Sequence, residues 1–358
     1  MKILHVYKIY YPDSFGGMEA TIAQLCASTS KLGVESRIFT LSSKAARTYS
    51  YQGIEVTAAH TQLNLASCPL SFSALSKFKQ LVGWADIIHY HFPWPFADCL
   101  DLLAKVNKPR VMTYQSDIVK QKILLQLYKP LMFSFMAKMD CIVASSPNYL
   151  ASSPYLAKFK AKVKVIPLGL EQERLLTIDT NTLEQMRSRV GENFFLFVGV
   201  LRYYKGLHIL LHALKNTNLP LVIAGSGPEL AKLQQLAKRL NLTQVKFLGE
   251  VSDAQKAALF KLAGATVFPS HLRSEAYGIS LLESSICSKP MISSEIGTGT
   301  SYINLDKVTG LVVPPNDSIA LRNAMEQLAA DDKLCAAMGA AAYARYQELF
   351  TAESMGEK

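Results

Sequence analysis

The chain has no Cys-x-x-Cys pair and no Asp-x-Asp. Its six cysteines (Cys26, Cys68, Cys99, Cys141, Cys287 and Cys335) lie far apart, which fits a reduced cytosolic chain and offers neither a zinc site nor a disulfide framework. His89 and His91, two apart on an expected strand, are read as facing opposite ways and so as a poor ligand pair; no metal is expected. Charged residues are also sparse, 18% against the roughly 25% of an average chain, while 49% of residues are apolar, so neither a disordered tail nor a coiled coil dominates. The stretch MKILHVYKIYYPDSFGG lacks an apolar region ahead of a small-residue cleavage site and reads as a first strand rather than a signal peptide.

Acidic residues are scarce only in the first half. Residues 1–168 carry 19 Lys+Arg against 9 Asp+Glu, a net +10, whereas residues 169–358 carry 19 of each, a net zero. A basic half meets something anionic: nucleic acid, an acidic membrane surface or a phosphorylated ligand. Nucleic acid is not expected, because the basic residues are scattered among apolar helices and no finger or recognition-helix pattern occurs. The membrane surface comes first. Ile118–Lys138 mixes Lys with Leu, Ile, Phe and Met as an interfacial helix would, and Leu70–Trp84 adds Lys77, Lys79 and Trp84. Neither can span a bilayer, since Lys129-Pro130 interrupts the longest apolar run well short of about 20 residues. Lys stems snorkelling from helices that cover a sheet explain the same pattern equally well.

At 358 residues the chain is long enough for two domains. Short apolar runs alternate with helical patterns, the rhythm of an α/β fold with parallel sheets. Strands are expected at Ile3–Tyr7, Ser36–Leu41, Ile54–Ala58, Ile87–His91, Val111–Tyr114, Cys141–Ala144 and Val163–Ile166. The rhythm restarts with Phe194–Val198, Leu221–Ala224, Val245–Leu248, Thr266–Phe268 and Met291–Ser293. The expected division is a domain over 1–168, a linker over 169–192 and a domain over 193–358, with Leu334–Phe350 a candidate for crossing back to the first domain. Two such domains face each other across a cleft at the carboxyl ends of their strands, where ligands bind.

Five sequences fall at such ends, each with a bland alternative. Gly16-Gly17, after the first strand, lets a phosphate or sugar approach backbone at a helix start; it is not G-x-G-x-x-G and is by itself more often a plain turn. Arg202 and Lys205, between a strand end and a helix start, could clamp a diphosphate without a metal, or be a solvated basic pair. Glu275 precedes a helix and Glu283 lies within it, so one carboxylate can reach sugar hydroxyls and the other a ribose; the apolar run YGISLLE argues against a merely solvated Glu283. His89-Tyr90-His91 and Gln115-Ser116-Asp117 end two strands of the first half and could hold an acceptor, although packing roles for the histidines are at least as common.

Taken in order, Gly16-Gly17-Met18-Glu19, Asp86-Ile87-Ile88-His89-Tyr90-His91-Phe92-Pro93, Ser145–Tyr149, Val165–Leu170, Arg202-Tyr203-Tyr204-Lys205-Gly206 and Arg273-Ser274-Glu275-Ala276-Tyr277-Gly278 through Glu283 resemble glycosyltransferase family 4. The resemblance runs from about Lys2 to Phe350, and within the family it is nearest to the mannosyltransferase-like enzymes of bacterial O-antigen and exopolysaccharide assembly. It implies a GT-B fold of two Rossmann-like domains, a retaining and metal-independent sugar transfer, and no cofactor beyond the nucleotide-sugar substrate, GDP-mannose or, as runner-up, a UDP-hexose. By the same resemblance Arg202 and Lys205 bind the donor diphosphate, Glu283 the ribose and Glu275 the transferred sugar. Tyr277 and Gly278 add backbone amides, Gly16 and Gly17 complete the pocket, and Val251 with Gly225–Pro228 borders the base. His91 and Asp117 fall on the acceptor side. The implied partners are a lipid-linked oligosaccharide and, through the basic first domain, the anionic inner face of the cytoplasmic membrane.

One position departs from the family. Gln115 stands where His is usual in a His-Ser-Asp triplet, and Gln can donate a hydrogen bond but cannot be protonated near neutral pH. The expectation is an active enzyme, slower or altered in donor preference. The alternatives are an impaired subunit that binds only nucleotide or partners, and a nucleotide-sugar epimerase.

Overall fold

Strands covered on both faces must be apolar along their length, and Leu221–Ala224 and Ala265–Phe268 are buried at every position. In the computed structural model, which describes residues 1–66, 68–118 and 122–358, the chain forms two units: residues 1–169 with 352–358, and residues 170–351.

The first unit runs β1 (Lys2–Val6), α1 (Gly17–Ser30), β2 (Glu35–Ser42), β3 (Arg47–Tyr51), β4 (Ile54–His60), β5 (Leu63–Leu65), β6 (Cys68–Leu70), α2 (Ala74–Trp84), β7 (Ile87–Phe92), α3 (Pro95–Ala104), β8 (Arg110–Tyr114), α4 (Lys122–Ala137), β9 (Cys141–Ala144), α5 (Pro147–Ser152) and β10 (Val163–Val165). Eight strands form one sheet in the order β10-β9-β8-β7-β1-β2-β4-β3. Only β3, against β4, runs antiparallel in it, while β5 and β6 make a separate hairpin. The chain winds outward from β1 through β2 and then crosses back to β7, so the crevice at the carboxyl ends of β1 and β7 is the position where such sheets take ligands. Phe78 of α2 packs against Phe39 of β2 with ring centres 5.4 Å apart and planes tilted by 54°, both fully buried, which helps fix that helix on the sheet.

The second unit runs α6 (Glu173–Leu176), α7 (Thr180–Val190), β11 (Phe195–Val198), α8 (Leu207–Ala213), β12 (Leu221–Ala224), α9 (Leu230–Arg239), β13 (Val245–Gly249), α10 (Asp253–Leu262), β14 (Ala265–Phe268), α11 (Ile279–Ile286), β15 (Met291–Ser294), α12 (Thr300–Ile303), β16 (Gly310–Val313), α13 (Ser318–Ala330) and α14 (Asp332–Leu349). Its six-stranded parallel sheet is ordered β13-β12-β11-β14-β15-β16. Phe197, Leu210, Leu211, Ile223, Ile292 and Met325 are buried together in its core.

The stretch 169–192, expected as a linker, carries α6 and α7, and both pack on α10. The element that returns to the first unit is not Leu334–Phe350, which lies in the second, but α15 (Ala352–Glu357), packed against α1. Its Met355 is buried, with the sulfur accepting from Gly169 N–H at 3.3 Å. Truncating it removes buried methylenes and leaves a void, so Met355→Ala should cost about 2–4 kcal/mol of stability, read as a lower denaturant midpoint; an unchanged midpoint would show that the return segment is not part of the core.

Candidate active site

At the carboxyl ends of β13, β12 and β11 the connecting loops are laced together by backbone. Gly225 N–H donates to Gly249 O at 2.7 Å, Gly199 N–H to Ala224 O at 3.0 Å and Leu201 N–H to Ser226 O at 2.9 Å. Gly225 has φ +138°, and a Cβ there would fall 2.0 Å from the Gly199 carbonyl oxygen, so only glycine permits this approach. The strand β11 then delivers Arg202 and a single 3-10 turn, Tyr203–Lys205. Gly206, at φ +71°, ends that turn against the loop after β14: a Cβ would meet Pro269 O at 2.0 Å, and His271 N–H donates to Tyr204 O at 3.0 Å.

This docking brings Lys205 onto Glu275. The ammonium pairs with Oε2, Ser270 Oγ donates to the same oxygen at 3.2 Å, and the two side chains are only 12% and 11% exposed. The Lys205 nitrogen also lies 4.6 Å from the centre of the Phe268 ring. Arg202 is not drawn in with them. It remains exposed, lining a hollow with Tyr203, His208, Glu229 and Lys232.

Glu275 leads through Tyr277 and Gly278 into α11. Gly278 is the N-cap and supplies no side-chain acceptor, so the opening amides of the helix are left to the positive end of its dipole. One turn in, Glu283 is buried and accepts from Lys256 Nζ at 2.7 Å; Asp253 Oδ1 lies 3.3 Å from the same nitrogen. Burial by itself would lower the Lys256 pKa, but Glu283, then Asp253, reverse this and hold it above its ordinary value. Lys256 sits in the first turn of α10, whose Ser252 and Gln255 form a capping box directly after Val251. It therefore ties the expected base-side segment to Glu283. The sequence reading missed Lys256, because a lysine three residues after Asp253 looks like an ordinary solvated helix pair until Glu283 is seen to be buried.

In the first unit Gly16 caps α1 and Gly17 begins it, as the sequence suggested. The histidine reading needs correction. His89 and His91 share one face, with ring centres 4.6 Å apart, because side chains alternate along a strand and residues two apart return to the same side. His5 of β1, in register with His89, completes a buried trio whose ligating atoms lie within 4.8 Å of one another. His5 Nδ1 and His91 Nε2 are 3.2 Å apart and His89 Nε2 bonds Thr113 Oγ1 at 2.7 Å, with ring planes inclined by only 20–38°. With His89 Nε2 taken by Thr113 and His5 Nδ1 paired with His91 Nε2, the group reads as a hydrogen-bonded cluster in which His91 stacks on both other rings.

Gln115 follows Thr113 and Tyr114 on β8, is buried, and its side-chain nitrogen has no partner among the described residues. Asp117 is committed within the unit: its Oδ1 accepts from Tyr114 at 2.9 Å and Ser153 at 2.7 Å, and its N–H donates to Tyr149 Oη at 2.6 Å.

The matches to known families divide close to the boundary between the two units. Residues 15–174 match the family described as Glycosyltransferase Family 4, and residues 179–345 match Glycosyl transferases group 1. The chain is 50% identical over 353 residues to "D-rhamnosyltransferase WbpZ" of Pseudomonas aeruginosa, covering 98% of this chain and 93% of that one. It is 49% identical to "O-antigen chain mannosyltransferase C" of Escherichia coli, covering 99% and 96%. The chain is a family 4 glycosyltransferase.

Its fold agrees. HepE of Anabaena, solved with UDP and glucose, superposes with a TM-score of 0.81 at 20% identity, covering 100% of this glycosyltransferase and 97% of HepE, and sucrose-phosphate synthase from Thermosynechococcus elongatus gives 0.81 at 22%, covering 99% and 96%. The architecture is GT-B, with one Rossmann-like sheet in each unit. Lys205, Lys256, Glu275 and Glu283 of this glycosyltransferase fall within the group 1 match, and Gly16, Gly17, His91, Gln115 and Asp117 within the family 4 match.

The histidine trio makes a pH prediction. Burial first, and then the neighbouring rings, push His5 and His91 well below the usual imidazole range, while burial pushes His89 down to about 4. Unfolded histidines titrate near about 6.5, so between there and about 4 the unfolded chain binds protons that the folded one refuses. Stability should fall as pH drops through that window, by up to about 1.4 kcal/mol per pH unit for each histidine. Denaturant unfolding at pH 7.5 and 5.5 checks this. A midpoint that His91→Asn leaves equally pH-sensitive would contradict it.

Proposed function

We propose that this glycosyltransferase moves mannose from GDP-mannose, with retention of configuration, to a lipid-linked or growing bacterial surface polysaccharide. The observation that carries the reading is the Lys205–Glu275 pair, a cation and a carboxylate side by side at the head of α11, suited to the point in a nucleotide sugar where diphosphate meets sugar. Lys205 and the first amides of α11 would bear the charge that develops on the diphosphate, with Arg202 joining from the exposed end of the turn. Glu275 would accept hydrogen bonds from the sugar hydroxyls. Glu283, held by Lys256, would take the ribose, and Val251 would border the base. Gly16 and Gly17 would complete the pocket, and His91, Gln115 and Asp117 fall on the acceptor side.

In the proposed reaction the acceptor hydroxyl attacks C1 from the face on which the diphosphate departs. The bond to the acceptor oxygen forms as the bond to phosphate breaks, and the hydroxyl proton passes to the leaving phosphate oxygen. That proton path does not require an imidazole at position 115, and it needs neither a metal nor a separate cofactor.

Two relatives of nearly equal identity are named for mannose and for D-rhamnose, sugars that differ only in the hydroxyl at C6. A site that hydrogen-bonds that hydroxyl rejects the deoxy donor strongly, whereas an apolar one discriminates weakly. Donor choice therefore needs a panel: GDP-mannose, its 6-deoxy counterpart and UDP-hexoses, each with and without lipid-linked acceptor. An epimerised nucleotide sugar formed without acceptor, as distinct from its hydrolysis, would identify an epimerase instead. The acceptor reading also places the enzyme at the cytoplasmic face of the membrane as a peripheral protein, consistent with the basic excess of residues 1–168. No helix among the described residues is long and apolar enough to cross a bilayer.

Lys205→Ala should lower kcat by on the order of a hundredfold or more. If donor binding and rate both survive, the donor site is misassigned. Gln115, which cannot be protonated where an imidazole is usual and whose side-chain nitrogen has no partner among the described residues, favours one second reading, an impaired subunit that binds nucleotide without transfer. The natural protein should transfer sugar at a rate within reach of Gln115→His; turnover by the His variant alone would establish the impaired reading.

A further inference from the structure

The first unit exposes apolar side chains around a feature that the sequence reading did not single out, the β5–β6 hairpin. Leu63 and Leu65 are 45% and 55% exposed, and Phe72, just beyond β6, is 87% exposed. Phe72 is held outward in a defined position: its N–H donates to Gln62 Oε1 at 3.0 Å, and Gln62 N–H donates to Leu70 O at 3.0 Å. On α4, Leu124 and Leu127, one turn apart, are 54% and 78% exposed. The helix α3 underlies both places. Trp94 Nε1, at its N-cap, donates to Pro69 O at 3.3 Å, and Tyr128 of α4 donates to Asp98 of α3. Five large apolar side chains thus stand out from elements that share one support, more than scattered surface leucines require.

The charge around them has one sign. Residues 56–85 contain no carboxylate and include Lys77 and Lys79; residues 118–139 contain none and include four lysines; residues 141–170 contain none and include Lys158, Lys160, Lys162 and Lys164. Lys129 and Lys158 lie over the rings of Tyr155 and Phe133, so the ammonium groups border α4. The carboxylates beneath are occupied, Asp98 by Tyr128 and Asp101 by Tyr90 and Arg110. Protruding apolar side chains on segments that carry lysines and no carboxylates match the boundary of an anionic phospholipid bilayer, where apolar groups enter the acyl edge and lysines stay among headgroups. A partner copy of this chain would bring the same cations against these and be repelled.

We infer that the hairpin with Phe72 and the outer face of α4 form the surface by which the first unit docks on an anionic bilayer, Phe72 and Leu127 entering it. The inference deepens the lipid-linked acceptor reading and rests on it only for its purpose, since vesicle binding and sugar transfer are measured separately. The test is flotation of the full chain with phosphatidylcholine vesicles, with or without phosphatidylglycerol, at low and at physiological salt. The natural protein should float only with the anionic vesicles, more weakly as salt shortens the screening length to about 8 Å. The double variant Phe72→Ser, Leu127→Ser should bind them at least tenfold more weakly, with its melting temperature and its transfer to a water-soluble acceptor analogue unchanged. The change Lys158→Gln, Lys160→Gln should weaken binding chiefly at low salt. Equal binding by the apolar double variant overturns the inference, as does failure of the natural protein to float. So does a change of sedimentation coefficient showing that the patch instead joins two copies. A protein that transfers sugar yet ignores vesicles sinks the docking surface alone; one that binds vesicles yet transfers no sugar sinks the transferase reading alone.

Discussion

Lys205 can rest on Glu275 only because two loops are locked together independently of either side chain. The 3-10 turn after β11 sits so close to the loop after β14 that Gly206 has no room for a Cβ beside Pro269, and the backbone bond from His271 to Tyr204 closes the junction. A nearly buried ion pair returns little net stability, because both charges must leave water to form it. Its value is positional. Removing either partner would strand the other charge away from solvent, at a cost of about 3–5 kcal/mol. The pair therefore holds the cation and the carboxylate at a fixed separation, the preorganisation that the proposed stabilisation of a departing diphosphate would use.

The same logic recurs at the other carboxylate. Glu283 is buried in α11 and has a partner from α10, so the two carboxylates proposed to meet the donor, Glu275 and Glu283, are each paired with a lysine from a different element. Gln115 contrasts with both: it is buried, and its side-chain nitrogen has no partner among the described residues.

Much of this was legible in the chain. The strands buried on both faces announced themselves as apolar runs, and Cys141–Ala144 and Leu221–Ala224 appear with the expected bounds. The edge strand β3 was missed because its sequence, RTYSY, alternates between half-buried and exposed and contains no apolar run. The hairpin β5–β6 was missed because three-residue strands carry too little periodicity to register. The site residues were legible by type and place, but their contacts were not: Lys205 and Glu275 lie far apart in sequence, and Lys256 shows its role only once Glu283 is known to be buried. The histidine stack was misjudged for a simpler reason, a strand period counted wrongly. The lysines of residues 56–85 and 118–170 accompany exposed leucines and Phe72, while the residues proposed to bind the donor sit in the half with no net charge.

Same-face transfer from a donor held by Lys205 is the central proposal for this enzyme. The most direct measurement is the anomeric configuration of the sugar in the product, read by NMR from the one-bond carbon–proton coupling at C1 after reaction with GDP-mannose in the presence of a chelator. Retention of the donor's α configuration is the predicted result. An inverted β product, or a reaction that stops when divalent cations are removed, would contradict it.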